Sequence, residues 1–145
     1  MEAVRPRLVL TSEPDDATYL AILYPLVALN VSKVGDHKRI PLGVLIQDPL
    51  TEQVTGGLWG RTSWKWLTIE LLFVPEVYRG QGLGSAVMRL AEEEAIRRGC
   101  IRAWLDSHSF QTPGFYEKLG FERFGLIDDY PPGHSRIFFQ KRWFA

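Results

Sequence analysis

The chain has 145 residues, of which 46% are hydrophobic and 23% charged, the length of one domain and the balance of a soluble globular protein. Seventeen Lys and Arg offset seventeen Asp and Glu, so the surplus of basic charge that drives nucleic-acid binding is missing. The lone Cys100 excludes an intrachain disulfide framework and a cysteine-based zinc site, and fits a reducing, cytoplasmic setting.

Residues 7–13 (RLVLTSE) alternate and are rich in β-formers, so a strand is expected there, with Ser12 and Pro14 marking the change to a helix over about 15–30. Residues 17–32 carry no charge. That segment is short for a membrane span of about 20 residues and is interrupted by Pro25 and Asn30. Glu13, Asp15 and Asp16 stand where a signal peptide has basic residues. A buried helix of a soluble domain is expected, with a targeting signal as the alternative. After a polar connection over 33–38, residues 40–47 (IPLGVLIQ) and 54–62 read as strands around an Asp48-Pro49 turn. Gly56, Gly57 and Gly60 mark the second as a place of close packing or a bulge. Residues 64–74 (WKWLTIELLFV) form the strongest strand pattern, ended by Pro75.

A glycine loop, Tyr78-Arg79-Gly80-Gln81-Gly82-Leu83-Gly84, opens a helix that runs to about Arg98. Leu83, Val87, Leu90, Ala91 and Ala95 share one stripe of that helix. Glu93 with Arg97 and Glu94 with Arg98 are i,i+4 pairs, and Gly99 is the stop. A strand over 101–106, a short helix over 113–119 and strands over 121–127 and 135–143 complete the chain. No linker, repeat or low-complexity stretch divides this order, so residues 1–145 read as a single domain. Its class is α/β or α+β, one sheet with helices on its faces.

The glycine loop is the most informative local feature. Glycines allow close backbone approach, and the exposed N–H groups of a helix start bind anions, so a phosphate or pyrophosphate ligand follows. A turn with glycines for geometry alone is the alternative. A P-loop is excluded because Gly84-Ser85-Ala86 lacks its lysine. Gly80, Gly82 and Ser85 only approach the dinucleotide fingerprint, and too few residues remain for a second mononucleotide-binding half. Arg79-Gly80-Gln81-Gly82-Leu83-Gly84 fits a third pattern in full, Arg/Gln-x-x-Gly-x-Gly/Ala.

With that pattern the sequence resembles the GNAT family of N-acetyltransferases. FVPEVYRGQGLGSAVM resembles the family's acetyl-CoA-binding segment, and Phe115-Tyr116-Glu117-Lys118-Leu119-Gly120-Phe121 matches its downstream FYxKLGF segment. The resemblance implies an acyl-CoA N-acyltransferase-like fold, a mixed, mostly antiparallel sheet whose central parallel strand pair splays apart. It implies acetyl-CoA as cosubstrate and no metal. Leu72, Phe73 and Val74 would hold the pantetheine arm as an added strand holds its neighbour. The N–H groups of Gln81, Gly82, Leu83, Gly84 and Ser85 would hold the pyrophosphate behind the Gly80 turn. Arg79 is read either as a further phosphate contact or as a solvated side chain, and the Ser85 hydroxyl as a phosphate contact or a helix cap. Ser109 stands where the family commonly has asparagine, which leaves Gln111 as the substitute amide contact.

Acetyl transfer to an amine requires a neutral amine, donors for the developing oxyanion and a proton for the departing thiolate. Tyr116 occupies the position of the family's tyrosine acid. Glu70 is a carboxylate in an otherwise apolar strand, expected to be buried and therefore paired or functional. It is the first candidate for the base, directly or through water, with a structural salt bridge or an ammonium anchor as alternatives. His108 is the second. Trp59, Trp64 and Trp66 form an expected aromatic wall near Glu70 that suits a cationic amine, or else pack helix against sheet. The acceptor is accordingly read as a small-molecule or peptide amine. Neither nucleic acid nor membrane is an expected partner, and the family resemblance admits a homodimer. The competing functions are a non-catalytic CoA-binding or interaction module of the same fold and a dinucleotide oxidoreductase.

Overall fold

The structure, a computed structural model, describes residues 4–144. The chain divides into two compact units, one ending at His37 and one starting at Lys38, and each is described by itself.

In the first unit, residues 7–13 adopt no regular secondary structure, contrary to the expected strand. A strand persists only in a ladder, and this unit offers the segment no partner. Helix α1 (Asp16–Val34) begins at the Asp15 cap, whose carboxylate accepts from the Thr18 N–H at 2.8 Å, and ends at Gly35 with φ +85°. It runs through Pro25 and Asn30 rather than stopping there. By itself the helix buries none of its residues, so the expected buried helix forms but is not buried within its unit. Its 19 residues also undo the argument from shortness: by length and composition α1 could cross a membrane.

The second unit is one six-stranded sheet with two helices. Strands β1 (Ile40–Gln47), β2 (Val54–Ser63) and β3 (Trp66–Phe73) form an antiparallel meander. Trp64 and Lys65 have φ +50° and +63° and form the two-residue turn between β2 and β3, the signs that a type I′ hairpin requires. For that reason β3 starts two residues later than its apolar pattern indicates. After a 3₁₀ turn at Glu76–Tyr78, helix α2 (Leu83–Arg97) crosses over to β4 (Arg102–His108), which pairs parallel with β3. Helix α3 (Pro113–Lys118) and the antiparallel strands β5 (Glu122–Asp128) and β6 (Ser135–Arg142) follow. The sheet order is β1-β2-β3-β4-β6-β5.

Alternation fixes which face is buried. Ala103, Leu105 and Ser107 of β4 and Ile137 and Phe139 of β6 are buried with Leu58 and Leu67 against Val87, Met88, Ala91 and Ala95 of α2. Each large side chain fully buried here contributes about 1.5–3 kcal/mol. Met88 takes the place on the buried stripe expected of Leu90, which stays exposed. Arg97 pairs with Glu94 at 2.6 Å rather than with Glu93, and Arg98 pairs with the same carboxylate at 2.7 Å. Hydrogen bonds from Arg97 and then Arg98 hold the Glu94 carboxyl down at about 2. Gly99, with φ +90°, turns the chain out of α2. The next residue, Cys100, is buried, and burial pushes its thiol pKa up.

Candidate active site

The parallel ladder between β3 and β4 pairs Trp66 with Arg102 through Ile69 with Leu105 and stops, although both strands continue. The next residues in that register, Glu70 and Asp106, are not paired. On its other side β3 has a bulge at the same point: Trp59 opposes Leu71 and Gly60 opposes Ile69, leaving Glu70 as the extra residue. A Cβ on Gly60 would run into the Thr68 carbonyl oxygen, so glycine there permits the close approach. Beyond the bulge, Leu71, Leu72 and Phe73 stay bonded to β2 but have no strand partner on the β4 side. Leu72 and Phe73 therefore border an open edge, and Val74 lies just past the strand end. Such an edge can accept an extended ligand through main-chain hydrogen bonds.

The glycine loop closes one end of this gap. Gly80 and Gly82 have φ +78° and +74° and no atoms where a side chain would project. Gly82 is the N-cap of α2, and no side chain caps the helix, so Ser85 is not a cap. The first main-chain bond of the turn is Ala86 N–H to Gly82 O at 3.1 Å. The earlier N–H groups at the positive helix end have no partner within the helix. Gly84 has a different role. A Cβ there would come within 3.2 Å of Phe115 and 3.7 Å of Val74, so this glycine seats the start of α2 against both α3 and the end of β3. Arg79 folds back to donate from Nε to the Val74 carbonyl at 2.9 Å, with its guanidinium 5.7 Å from the Phe73 ring centre. It braces the loop on β3 and is not a freely solvated side chain.

Tyr116 is buried among Phe115, Phe121 and Phe139, at ring separations of 5.1, 6.2 and 5.6 Å. Every fully buried side-chain nitrogen or oxygen among the described residues has a partner. The Tyr116 hydroxyl has no hydrogen bond, so it is the accessible tip of a buried ring. Burial, and secondarily the nearby Asp106 carboxylate, push its pKa up to about 12.

Glu70 differs from its expectation. It is exposed rather than buried, because it lies on the face of β3 opposite the buried Leu67 and Ile69, and its carboxylate is hydrogen-bonded and ion-paired to Arg61 of β2. The sequence carried a signal for this pair: the two-residue turn sets Arg61 opposite Thr68, diagonal to Glu70. Asp106 has an equivalent partner in Arg136 of β6 at 2.8 Å, a pairing that only strand register brings together. The expected aromatic wall does not assemble as one surface. Trp64 lies in the hairpin turn at the far end of β3, and Trp66 is stacked under Arg102 at 5.5 Å.

Past Asp106, the Gln111 Oε1 accepts from the Ser107 hydroxyl at 2.9 Å and from the His108 N–H at 2.8 Å. Only the amide nitrogen of Gln111 is left to face a ligand. Ser109 accepts from the Ser135 N–H at 2.9 Å, so the residue standing in for asparagine ties β4 to β6. The His108 ring stacks with two aromatic rings, Phe110 at 5.2 Å and Tyr130 at 6.0 Å.

Comparison with known proteins matches this architecture. The sequence profile of the acetyltransferase (GNAT) family matches residues 13–121. Acetyltransferase Atu2258 of Agrobacterium fabrum is 38% identical over 135 residues, 93% of this chain and 98% of that protein. Blasticidin-S acetyltransferase of Streptomyces morookaense is 43% identical over 82 residues, 56% of this chain and 60% of that protein. A crystal structure described as an acetyltransferase from Agrobacterium tumefaciens superposes with a TM-score of 0.91 at 37% identity, covering 95% of this chain and all of that one. An acetyltransferase from Bacillus cereus gives 0.80 at 30% identity, covering 92% of this chain and 97% of that one. The matched span takes in the bulge, the glycine loop and Tyr116, and the first relative and both structures extend over nearly the whole chain. On those grounds the chain belongs to the acetyltransferase (GNAT) family.

Proposed function

We propose that the protein moves an acetyl group from acetyl-CoA to a primary amine of a small molecule or peptide, by direct attack of the amine in a ternary complex. Acetyl transfer itself follows from membership of the family. The observation that carries the finer reading is the parting of β3 and β4 after Ile69 and Leu105, beside the uncapped start of α2. Acetyl-CoA supplies the thioester. The open edge at Leu72, Phe73 and Val74 suits its extended arm. The N–H groups of Gln81, Gly82, Leu83, Gly84 and Ser85, freed by the left-handed glycines, suit its diphosphate. Arg79 holds that loop to Val74, and the Gln111 amide nitrogen is the remaining polar contact.

Tyr116 gives a proton to the departing sulfur. A phenol with its pKa at about 12 keeps its proton across the neutral range and is available as a donor. Glu70, bonded to Arg61, is better suited to attracting an ammonium group than to removing its proton, because Arg61 already occupies the carboxylate. Glu70 and Asp106 place two carboxylates at the mouth of the gap, each charge-balanced by its arginine, so they offer a cationic amine hydrogen-bond acceptors rather than a net negative field. The similarity to blasticidin-S acetyltransferase supports a small-molecule acceptor. No observation favours a non-catalytic module.

One enzyme domain spanning residues 1–145 is part of the same reading. The family match begins at residue 13 and so includes α1, which supports a helix of the enzyme rather than a membrane anchor or targeting signal. The buried, single Cys100 supports a cytoplasmic location. A homodimer draws support from the edge strand β5, where Phe124, Leu126 and Ile127 stay exposed.

The test is a thermal-shift titration with acetyl-CoA, CoA and NAD, followed by an amine panel with thiol release as readout. Stabilisation by the CoA species alone and thiol release with a cationic amine are expected. Selective stabilisation by NAD would overturn the reading.

A further inference from the structure

The acetyl-transfer reading leaves the proton of the acceptor ammonium without a recipient. Both carboxylates at the mouth of the gap are engaged, Glu70 by Arg61 and Asp106 by Arg136. His108, the last residue of β4, stands two positions beyond Asp106 and on the same face of the strand. Its ring stacks with Phe110 and with Tyr130, at interplanar angles of 22° and 11°. Its main chain is fixed on both sides, the N–H donating to Gln111 Oε1 and the carbonyl accepting from the Gln111 N–H at 2.9 Å. Among the described residues no hydrogen bond or ion pair engages either ring nitrogen. The result is an imidazole stacked with two aromatic rings, its nitrogens without a hydrogen bond, at the end of the strand that parts from β3.

We propose that His108 is the base that takes the proton from the acceptor ammonium, held in orientation by Phe110 and Tyr130. The assignment rests on the acetyl-transfer reading and deepens it. An imidazole nitrogen takes one proton from R–NH3⁺ and later gives it to solvent. The neutral amine then forms the C–N bond to the acetyl carbon as the C–S bond breaks. The departing sulfur takes the Tyr116 proton, and the second proton lost by the nitrogen restores the phenol through water. Atoms and charge balance with acetyl-CoA and the amine as the only reactants. Phe110 and Tyr130 are positioning residues. The groups facing the imidazole are Arg136 from β6, its register partner, and Tyr130 from the β5–β6 loop. His134 from that loop stands edge-on to Phe110 at 5.1 Å, and Asp106 lies on β4 itself. Arg136 and Asp106 offset each other.

The experiment compares the wild-type chain, His108→Gln, His108→Ala, Glu70→Gln, Tyr130→Ala and Tyr130→Phe. It measures kcat and KM for a cationic amine from pH 5.5 to 9, with the acetyl-CoA thermal shift as a second readout. His108→Gln should lower kcat about a hundredfold, the lower end of the range for a positioned base, and abolish the fall in kcat/KM towards acid pH. Its acetyl-CoA shift should be retained. Added imidazole should restore part of the rate to His108→Ala. Glu70→Gln should raise the amine KM while keeping the acid limb. Tyr130→Ala should lower kcat about tenfold with unchanged acetyl-CoA binding, and Tyr130→Phe should restore it. A folded His108→Gln within threefold of wild type with its acid limb intact would overturn the assignment while the acetyltransferase reading stands. If His108→Gln does not fold, absence of imidazole rescue in His108→Ala overturns it instead. A wild type that is inactive on every amine and unmoved by acetyl-CoA refutes the underlying reading, and the assignment with it.

Discussion

Removing the phenolic oxygen of Tyr116 should separate two properties that the structure joins in one side chain. The ring packs against three aromatic neighbours, whereas the hydroxyl makes no bond within the protein. Tyr116→Phe therefore keeps the packing and orphans no polar group. The phenol pKa is raised from 10.0 to about 12, chiefly by burial and secondarily by Asp106. Folding thus favours the protonated form, so stability is intact below pH 10 and falls as pH rises through 12. At 1.36 kcal/mol per pKa unit, wild type should lose about 1.4 kcal/mol relative to Tyr116→Phe on going from pH 8 to pH 11. Urea unfolding of both proteins at the two pH values gives the difference free of other titrating groups. At pH 7.5, turnover measured by thiol release should fall about a hundredfold or more, as for loss of a positioned acid, while acetyl-CoA stabilisation is retained. An equal stability gap at pH 8 and pH 11 would refute the buried phenol. Turnover within twofold of wild type would refute the acid role.

Other substitutions probe the rest of the site and its supports. Gly82→Ala, forced to adopt φ +74° in open space, should cost about 1–2 kcal/mol of stability and abolish the acetyl-CoA thermal shift at concentrations that saturate wild type; an undiminished shift counts against the loop as anion site. Gly84→Leu must displace Phe115, so turnover should fall together with acetyl-CoA affinity, and a loss of affinity alone would show that α3 is not moved. Glu92 accepts from Trp143 Nε1 and Lys141 Nζ, both at 2.7 Å. Glu92→Leu should cost about 3 kcal/mol by leaving Lys141 without its carboxylate, and a loss below 0.5 kcal/mol in urea unfolding (roughly the surface-substitution level) would refute the network. Glu94, held at about 2 against 4.5 in its ordinary state, contributes stability above pH 4.5 that disappears as pH falls through 2. The Tm gap between wild type and Glu94→Gln should therefore narrow from pH 6 to pH 2.5, and a constant gap would refute the pairing.

The elements that were legible in the sequence are those whose pattern is local. Residues 40–47 form β1 within their expected bounds, and Gly99 ends α2 within a residue of its expected stop. Misses arose where a tertiary condition overrode a local one. Residues 7–13 have the composition of a strand but no ladder in their own unit. Trp64 and Lys65 belong by propensity to β3 and by backbone sign to the turn. The candidate site divides along the same line. The glycine loop and Tyr116 were readable because spacing alone defines them. Arg61 with Glu70, and Asp106 with Arg136, required strand register. The stacked rings at His108 combine residues 108, 110 and 130 from a strand, a turn and a distant loop, and no window of sequence contains them.

The core position of Cys100 has a practical consequence at the bench. Its thiol is shielded and its pKa pushed up, and no other cysteine occurs in the chain. In the folded enzyme a thiol-reactive dye should therefore find only the coenzyme thiol released by acetyl transfer, free of a protein background. The same dye added under denaturant without substrate should report one equivalent of thiol per chain unfolded. A single reagent would then serve as turnover counter in one buffer and as folding probe in another.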